Sequence, residues 1–192
     1  MVDRFTSYTE LARTFREGED FRVIDRDPGR FTWLIMAPHG GKIEKGTSEL
    51  ASVVAADDHG LYLFEGLRPA ANRDLHVTSH RFFEERLDAL LGKAEFALGI
   101  HGCADGDHPE TILIGGLGHD HKDRFQACLK EGGFASRISD HRLPGEHPQN
   151  TCNRCRSGKG VQLELPLTLR LRLLDNPKVL EGMAEALRRA LA

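Results

Sequence analysis

The sequence predicts an α/β fold: a single domain of three layers, with a mostly parallel or mixed sheet between helices. Three observations support this. Short apolar runs the length of one strand alternate with amphipathic stretches of helical period, most of the runs end at glycine, proline or histidine, and no repeat interrupts the alternation. With 192 residues the chain suits one domain spanning 1–192 and can bury a sizeable core.

Thr9–Glu17 begins at a hydroxyl residue and carries Leu11, Ala12 and Phe15 at helical spacing, so it reads as a short helix ended by Gly18. Phe21–Asp27 alternates as an exposed or edge strand before the Pro28-Gly29 turn. Phe31–Ala37 is apolar enough for a buried strand and stops at Pro38, His39 and the pair Gly40-Gly41. Thr47 or Ser48 can cap a helix through Leu50, Val53, Val54 and Ala55, and Leu61–Glu65 is another strand. Leu75–Thr78 is a candidate strand. A helix follows with Phe82, Phe83, Leu87, Leu90 and Leu91 as its stripe, while Glu84, Glu85, Arg86 and Asp88 face water.

Two interior strands come next, in Ala94–Gly102 and Glu110–Gly116, the first again ending in a histidine and a glycine. Asp120–Gly132 reads as a helix and Phe134–Ile138 as a strand. Leu143–Lys159 is a long loop rich in proline, glycine, asparagine and arginine, and loops of that length in compact domains are usually functional or mobile. Val161–Leu165 is the last strand, cut by Pro166, and Pro177–Ala192 is a closing helix.

A net charge of −3 shows no basic excess for nucleic-acid binding. Four cysteines do not resemble a secreted disulfide framework, and reduced thiols follow. The first residues lack an apolar leader and no run approaches a membrane span, which points to a cytoplasmic protein with no membrane partner.

In parallel sheets, ligands gather beyond the carboxyl ends of strands, where His39 and His101 both fall. With Glu44 they form a set that suits zinc, since zinc takes imidazole and carboxylate and catalytic sites keep a position for water. His76 and His80 are an alternative pair, but HVTSH lacks the glutamate of a helical zinc motif. Glu164 is the one carboxylate inside the apolar run VQLEL and shares a face with Gln162, so it is the candidate base. Asn153, Arg154, Arg156 and Lys159 lie just ahead of it, and a guanidinium fork suits an acidic substrate or a developing oxyanion. Cys152 and Cys155 form a CxxC with no second pair at zinc-finger spacing, and ordinary free thiols are the simpler reading. His108, His119, His121, His141 and His147 read as surface residues.

The segments APHGGKIEKGTSELA, LHVTSHRF, GIHG, IGGL and NRCRSGKGVQLEL, in that order, resemble the phage and bacterial poly-γ-glutamate hydrolase family, also labelled phage replication protein. The resemblance spans about Ala37 to Leu165 and implies a zinc carboxypeptidase-like α/β fold and cleavage of γ-glutamyl amide bonds. It implies zinc on His39, Glu44 and His101, Glu164 as general base, and Arg154 holding a substrate carboxylate or oxyanion. His76 and His80 would line the cleft, with Arg156 and Asn153 beside the substrate. The expected partner is poly-γ-glutamate or another acidic peptide. The competing class is a nucleic-acid or phage-replication accessory that binds without catalysis.

Overall fold

The computed structural model describes residues 3–192. Seven strands form one mixed sheet: β1 (Phe21–Arg26), β2 (Trp33–Gly41), β3 (Gly60–Gly66), β4 (Phe96–Cys103), β5 (Ile112–Gly115), β6 (Ser136–Arg137) and β7 (Val161–Pro166), in the order β1-β3-β2-β4-β7-β5-β6. The pairs β2/β3, β2/β4, β4/β7 and β5/β6 are parallel; β1/β3 and β5/β7 are antiparallel. The helices are α1 (Tyr8–Thr14), α2 (Thr47–Ala55), α3 (Glu85–Leu91), α4 (His119–Glu131), α5 (Leu167–Asp175) and α6 (Pro177–Leu191).

Strand alternation divides the core into two layers. Ile35, Leu63, Leu98, Ile114 and Leu163 pack with Leu50 of α2, Phe125 of α4, Leu169 of α5 and Met183 of α6. Leu34, Met36, Phe64 and Ala97 face the other way, against Leu11 of α1, Leu87 of α3 and Phe82. Each face of the sheet is thus covered by helix. Among the described residues no helix is long and apolar enough to cross a membrane.

Several local expectations are corrected. Leu75–Thr78 is no strand: tight 3-10 turns at Asn72–Leu75 and Ser79–Arg81 flank it, because Asp3 receives the Thr78 amide that a ladder would need. Phe82 and Phe83 precede α3 rather than lie in it, and Glu84 is buried as its N-cap, accepting from the Leu87 amide and from Arg86. The cap of α2 is Gly46 in a left-handed conformation; the Thr47 hydroxyl turns back to the Glu44 carbonyl. The alternation LTLRLRL conceals α5: Pro166 ends β7 and begins a helix in which Leu169 and Leu173 face the core. His119 and His121 lie in the first turn of α4, and His121, expected at the surface, is half-buried edge-on to Trp33.

Candidate metal centre

His39 sits at the end of β2, where the register with β3 shifts between Ala37 and Gly40. The chain then folds tightly under α2. A side chain at Gly40 would meet Ser48 Oγ at 2.0 Å, and Gly41 has φ +60 with Glu65 and Gly66 closing on it. The Glu44 amide donates to the His39 carbonyl, and this turn brings the carboxylate back over the strand end. Glycines at 40, 41 and 46 are therefore steric requirements of placing Glu44 beside His39.

His39 Nε2 donates to the Val77 carbonyl at 2.8 Å, which fixes the tautomer and leaves Nδ1 bare. That Nδ1 lies 3.2 Å from His101 Nδ1 and 3.6 Å from Glu44 Oε1. The other carboxylate oxygen of Glu44 accepts from the Gly102 amide at 2.7 Å. The ligand-capable atoms of His39, Glu44 and His101 all lie within 4.8 Å of one another.

Burial alone would raise the Glu44 carboxyl, but His39, His101 and His76 overcome it and hold it down at about 2. Burial, with His39 adding to it, lowers the His101 imidazole to about 4. His101 is accordingly neutral and its lone pair is free to bind. Lone pairs and a carboxylate thus converge on one point, and donors about 2.0–2.1 Å from a tetrahedral ion stand roughly 3.3 Å apart. The spacing and the imidazole-imidazole-carboxylate chemistry fit a divalent ion such as zinc.

Glu164 stands on β7 in register with His101 on β4. It is 8% exposed and accepts from Gln162 Nε2 at 2.9 Å, and Gln162 in turn accepts from Asn150 Nδ2 at 2.8 Å. Burial, and then the Glu44 charge, push its carboxyl well above the usual range. A buried carboxyl with a raised proton affinity therefore sits on the next strand to the cluster.

His76 joins the cluster and His80 does not. The His76 ring stacks on His39 at 4.0 Å between centroids, and its Nε2 lies 3.7 Å from Glu44 Oε1. His80 instead stacks on His147 at 4.6 Å. The three residues of the arginine loop expected to meet substrate have protein partners of their own. Arg154 gives its fork to Asp88 and the Phe82 carbonyl and lies over the Phe83 ring. Asn153 is buried and ties the 145–147 loop through the Gly145 and His147 carbonyls. Arg156 faces Glu95, just ahead of β4, six residues and so about 20 Å from His101 at the strand's other end.

Two residues of this centre went unread in the sequence. Asp3 accepts from His76 Nδ1 at 2.7 Å and from the Thr78 amide and hydroxyl. Arg170 of α5 reaches under the cluster to the carbonyls of Leu165, Lys45 and Cys103, and Glu44 and Glu164 both act on its charge. A side chain on Gly102 would strike this guanidinium at 2.6 Å. An isolated acid far from the cleft residues gives no sequence signal; the arginine's signal was its place in a leucine-rich helix, one turn after Pro166.

The pattern of the family described as "Poly-gamma-glutamate hydrolase" matches residues 5–187. Two Bacillus subtilis (strain 168) proteins are similar in sequence: the SPbeta prophage-derived UPF0714 protein YoqZ, 35% identical over 85% of this chain and 59% of its own length, and the UPF0714 protein YndL, 34% identical over 85% and 64%. The chain thus spans about three fifths of the length of these relatives. Among solved structures, one described as a bacteriophage poly-gamma-glutamate hydrolase superposes with TM-score 0.90 at 31% identity, over 98% of this chain and 96% of that one. Another, described as YNDL-apo (Zinc-free), superposes with TM-score 0.88 at 30% identity, over 99% and 98%.

Proposed function

This chain belongs to the poly-gamma-glutamate hydrolase family, and on that premise we propose that it hydrolyses γ-glutamyl amide bonds of poly-γ-glutamate or related acidic amides, with zinc as its metal. His39, Glu44 and His101 would hold the ion and Glu164 would serve as base. The observation that carries this reading is the meeting of three acceptor atoms within 4.8 Å, with Glu164 in register beside them. Zinc bound there supplies Lewis acidity toward the amide carbonyl and brings water within reach of ionisation near neutral pH.

Glu164 takes the proton of the attacking water as the new C–O bond forms. It returns that proton to the amide nitrogen as the C–N bond breaks, leaving a carboxylic acid and an amine, which separate as carboxylate and ammonium once the acid's proton passes to the amine. Gln162 and Asn150 fix the rotamer of Glu164, and Arg170 holds the end of β7 and the turn that carries Glu44 through the Leu165 and Lys45 carbonyls. His76, its Nδ1 proton given to Asp3, presents a bare Nε2 that can accept from water or a substrate N–H. The carboxypeptidase-type division of labour, three ligands and a glutamate base, is part of the same proposal.

The test pairs metal analysis with depolymerisation. The purified chain should carry stoichiometric zinc and shorten poly-γ-glutamate, read by gel permeation, while leaving α-linked polyglutamate intact. A zinc-loaded chain that leaves the γ-linked polymer at full length would overturn the reading.

A further inference from the structure

Strand pairing sets His101 beside Glu164, Glu164 beside Leu113, and Leu113 beside Arg137, one row of side chains across β4, β7, β5 and β6 on the same face of the sheet. At the usual spacing of neighbouring strands, Arg137 stands roughly 14 Å from His101 and about 10 Å from Glu164. A cavity of about 500 Å³ lies along that row, with Cys103, Leu113, Arg137, His141, Arg142 and Pro166 in its wall. Cys103 and Pro166 follow His101 and Glu164 by two positions, so the cavity adjoins the candidate metal centre on the same side.

Arg137 is short of partners. Its Nε is buried with no acceptor, and among the described residues no carboxylate lies within 4.0 Å of the guanidinium of Arg137 or of Arg142. A buried guanidinium N–H without an acceptor is costly, and the fold supplies none here. The aspartates along the cavity do not fill the role: Asp105 is spent on the Thr168 amide and hydroxyl, and Asp107 and Asp140 are exposed.

We infer that this cavity is a subsite for an α-carboxylate of a γ-linked glutamate chain, received by Arg137 with Arg142 beside it. The inference rests on the function proposed above and adds a recognition element to it. Each γ-linked unit carries a free α-carboxylate and is five main-chain bonds long, roughly 6 Å by ordinary bond lengths. A carboxylate one or two units from a bond poised between His101 and Glu164 therefore falls at Arg137. The guanidinium fork matches a carboxylate bidentately, which a lysine cannot do. An α-linked polyglutamate has shorter units and places its carboxylates on flexible side chains, so it loses this register.

The test is equilibrium binding by calorimetry, on the full chain carrying Glu164→Gln so that ligand is not consumed. The probes are γ-linked tri-glutamate and the same trimer with its α-carboxylates converted to carboxamides. Arg137→Gln should weaken the carboxylate trimer about tenfold or more, the scale of a lost charged hydrogen bond, and leave the carboxamide trimer unchanged. Arg137→Lys should fall between. Equal binding of the carboxylate trimer by Arg137→Gln and its parent, or equal weakening of both trimers, overturns the subsite. Should Arg137→Gln lower the unfolding temperature, Arg142→Gln and Arg137→Lys carry the same comparison. Failure of the subsite alone leaves poly-γ-glutamate cleavage by the unmutated chain intact, whereas failure of the functional reading abolishes that cleavage.

Discussion

Asp3 and His76 are joined by a 2.7 Å hydrogen bond from the ring Nδ1 to the carboxylate, across 73 positions of sequence. The same carboxylate takes the Thr78 amide and hydroxyl, so one acid orients both an imidazole and the turn that carries it. Asp3→Ala leaves these donors without an acceptor and should cost about 1–3 kcal/mol in urea unfolding. It should also lower kcat/KM by roughly tenfold, as the loss of an orienting partner does at other site imidazoles.

Asp3 also carries a pH signature. Burial acts to raise its carboxyl, but the Thr78 hydroxyl, the His76 ring and the Thr78 amide outweigh it and hold the group below its ordinary 3.8. A lowered folded-state value contributes stability that is complete well above 3.8 and is lost as the pH falls through the lower folded value. The stability difference between the unmutated chain and Asp3→Asn should therefore narrow as the pH falls from about 3.8 through that lower value. A difference that stays constant from neutral pH down to acid unfolding would show that the carboxylate charge is not what Thr78 and His76 recognise.

Glu164→Gln preserves shape and removes the basic oxygen. Turnover of a γ-glutamyl substrate should fall by about 10²–10⁴, the usual worth of a general base, while zinc content stays level. Undiminished turnover would take Glu164 out of the proton transfer.

Removal of metal should silence the protein without unfolding it, since hydrogen bonds to Val77 and Gly102 already hold His39 and Glu44. Restoring zinc to 100 times its dissociation constant should add about 2.7 kcal/mol to stability. His39→Ala should abolish that increment, and thermal unfolding with and without zinc reads both effects. An increment that survives His39→Ala would move the ion to another set of ligands.

Gly160→Ala tests the turn that delivers β7. A Cβ there would stand 1.9 Å from the Cys152 carbonyl oxygen, against backbone that cannot rotate away. The substitution should cost about 3 kcal/mol or more and lower activity with stability, because Cys152 lies in the 3-10 turn Thr151–Arg154 capped by Asn150, which holds Gln162 against Glu164. Unfolding at the normal denaturant midpoint would show that the two segments part easily.

The sequence made legible what depends on short-range pattern. His39 and His101 stand out because each ends an apolar run at a glycine, and Glu164 because a carboxylate inside VQLEL needs a reason to be there. The sheet and most of its helices follow from the same periodicities. Residues whose role depends on distant backbone were beyond such a reading. Asp3 matters through a segment 73 positions away, and Arg170 through three carbonyls brought together only by folding. Charge density marks Arg154 and Arg156, but the carboxylates they face in the fold, Asp88 and Glu95, are not announced by any spacing in the sequence. Arg137 drew no notice, being a lone cation on a strand of two residues.

Arg170 clasps the carbonyls of Lys45, Cys103 and Leu165, which belong to three segments remote from one another in the chain. Any fluctuation that unwinds α5 must release all three together, so the helix and the cleft share one opening event. Amide protons at Gly102 and in the first turn of α2 should then exchange with solvent at the same free energy as those of α5, making that helix the timekeeper of the candidate metal centre's floor.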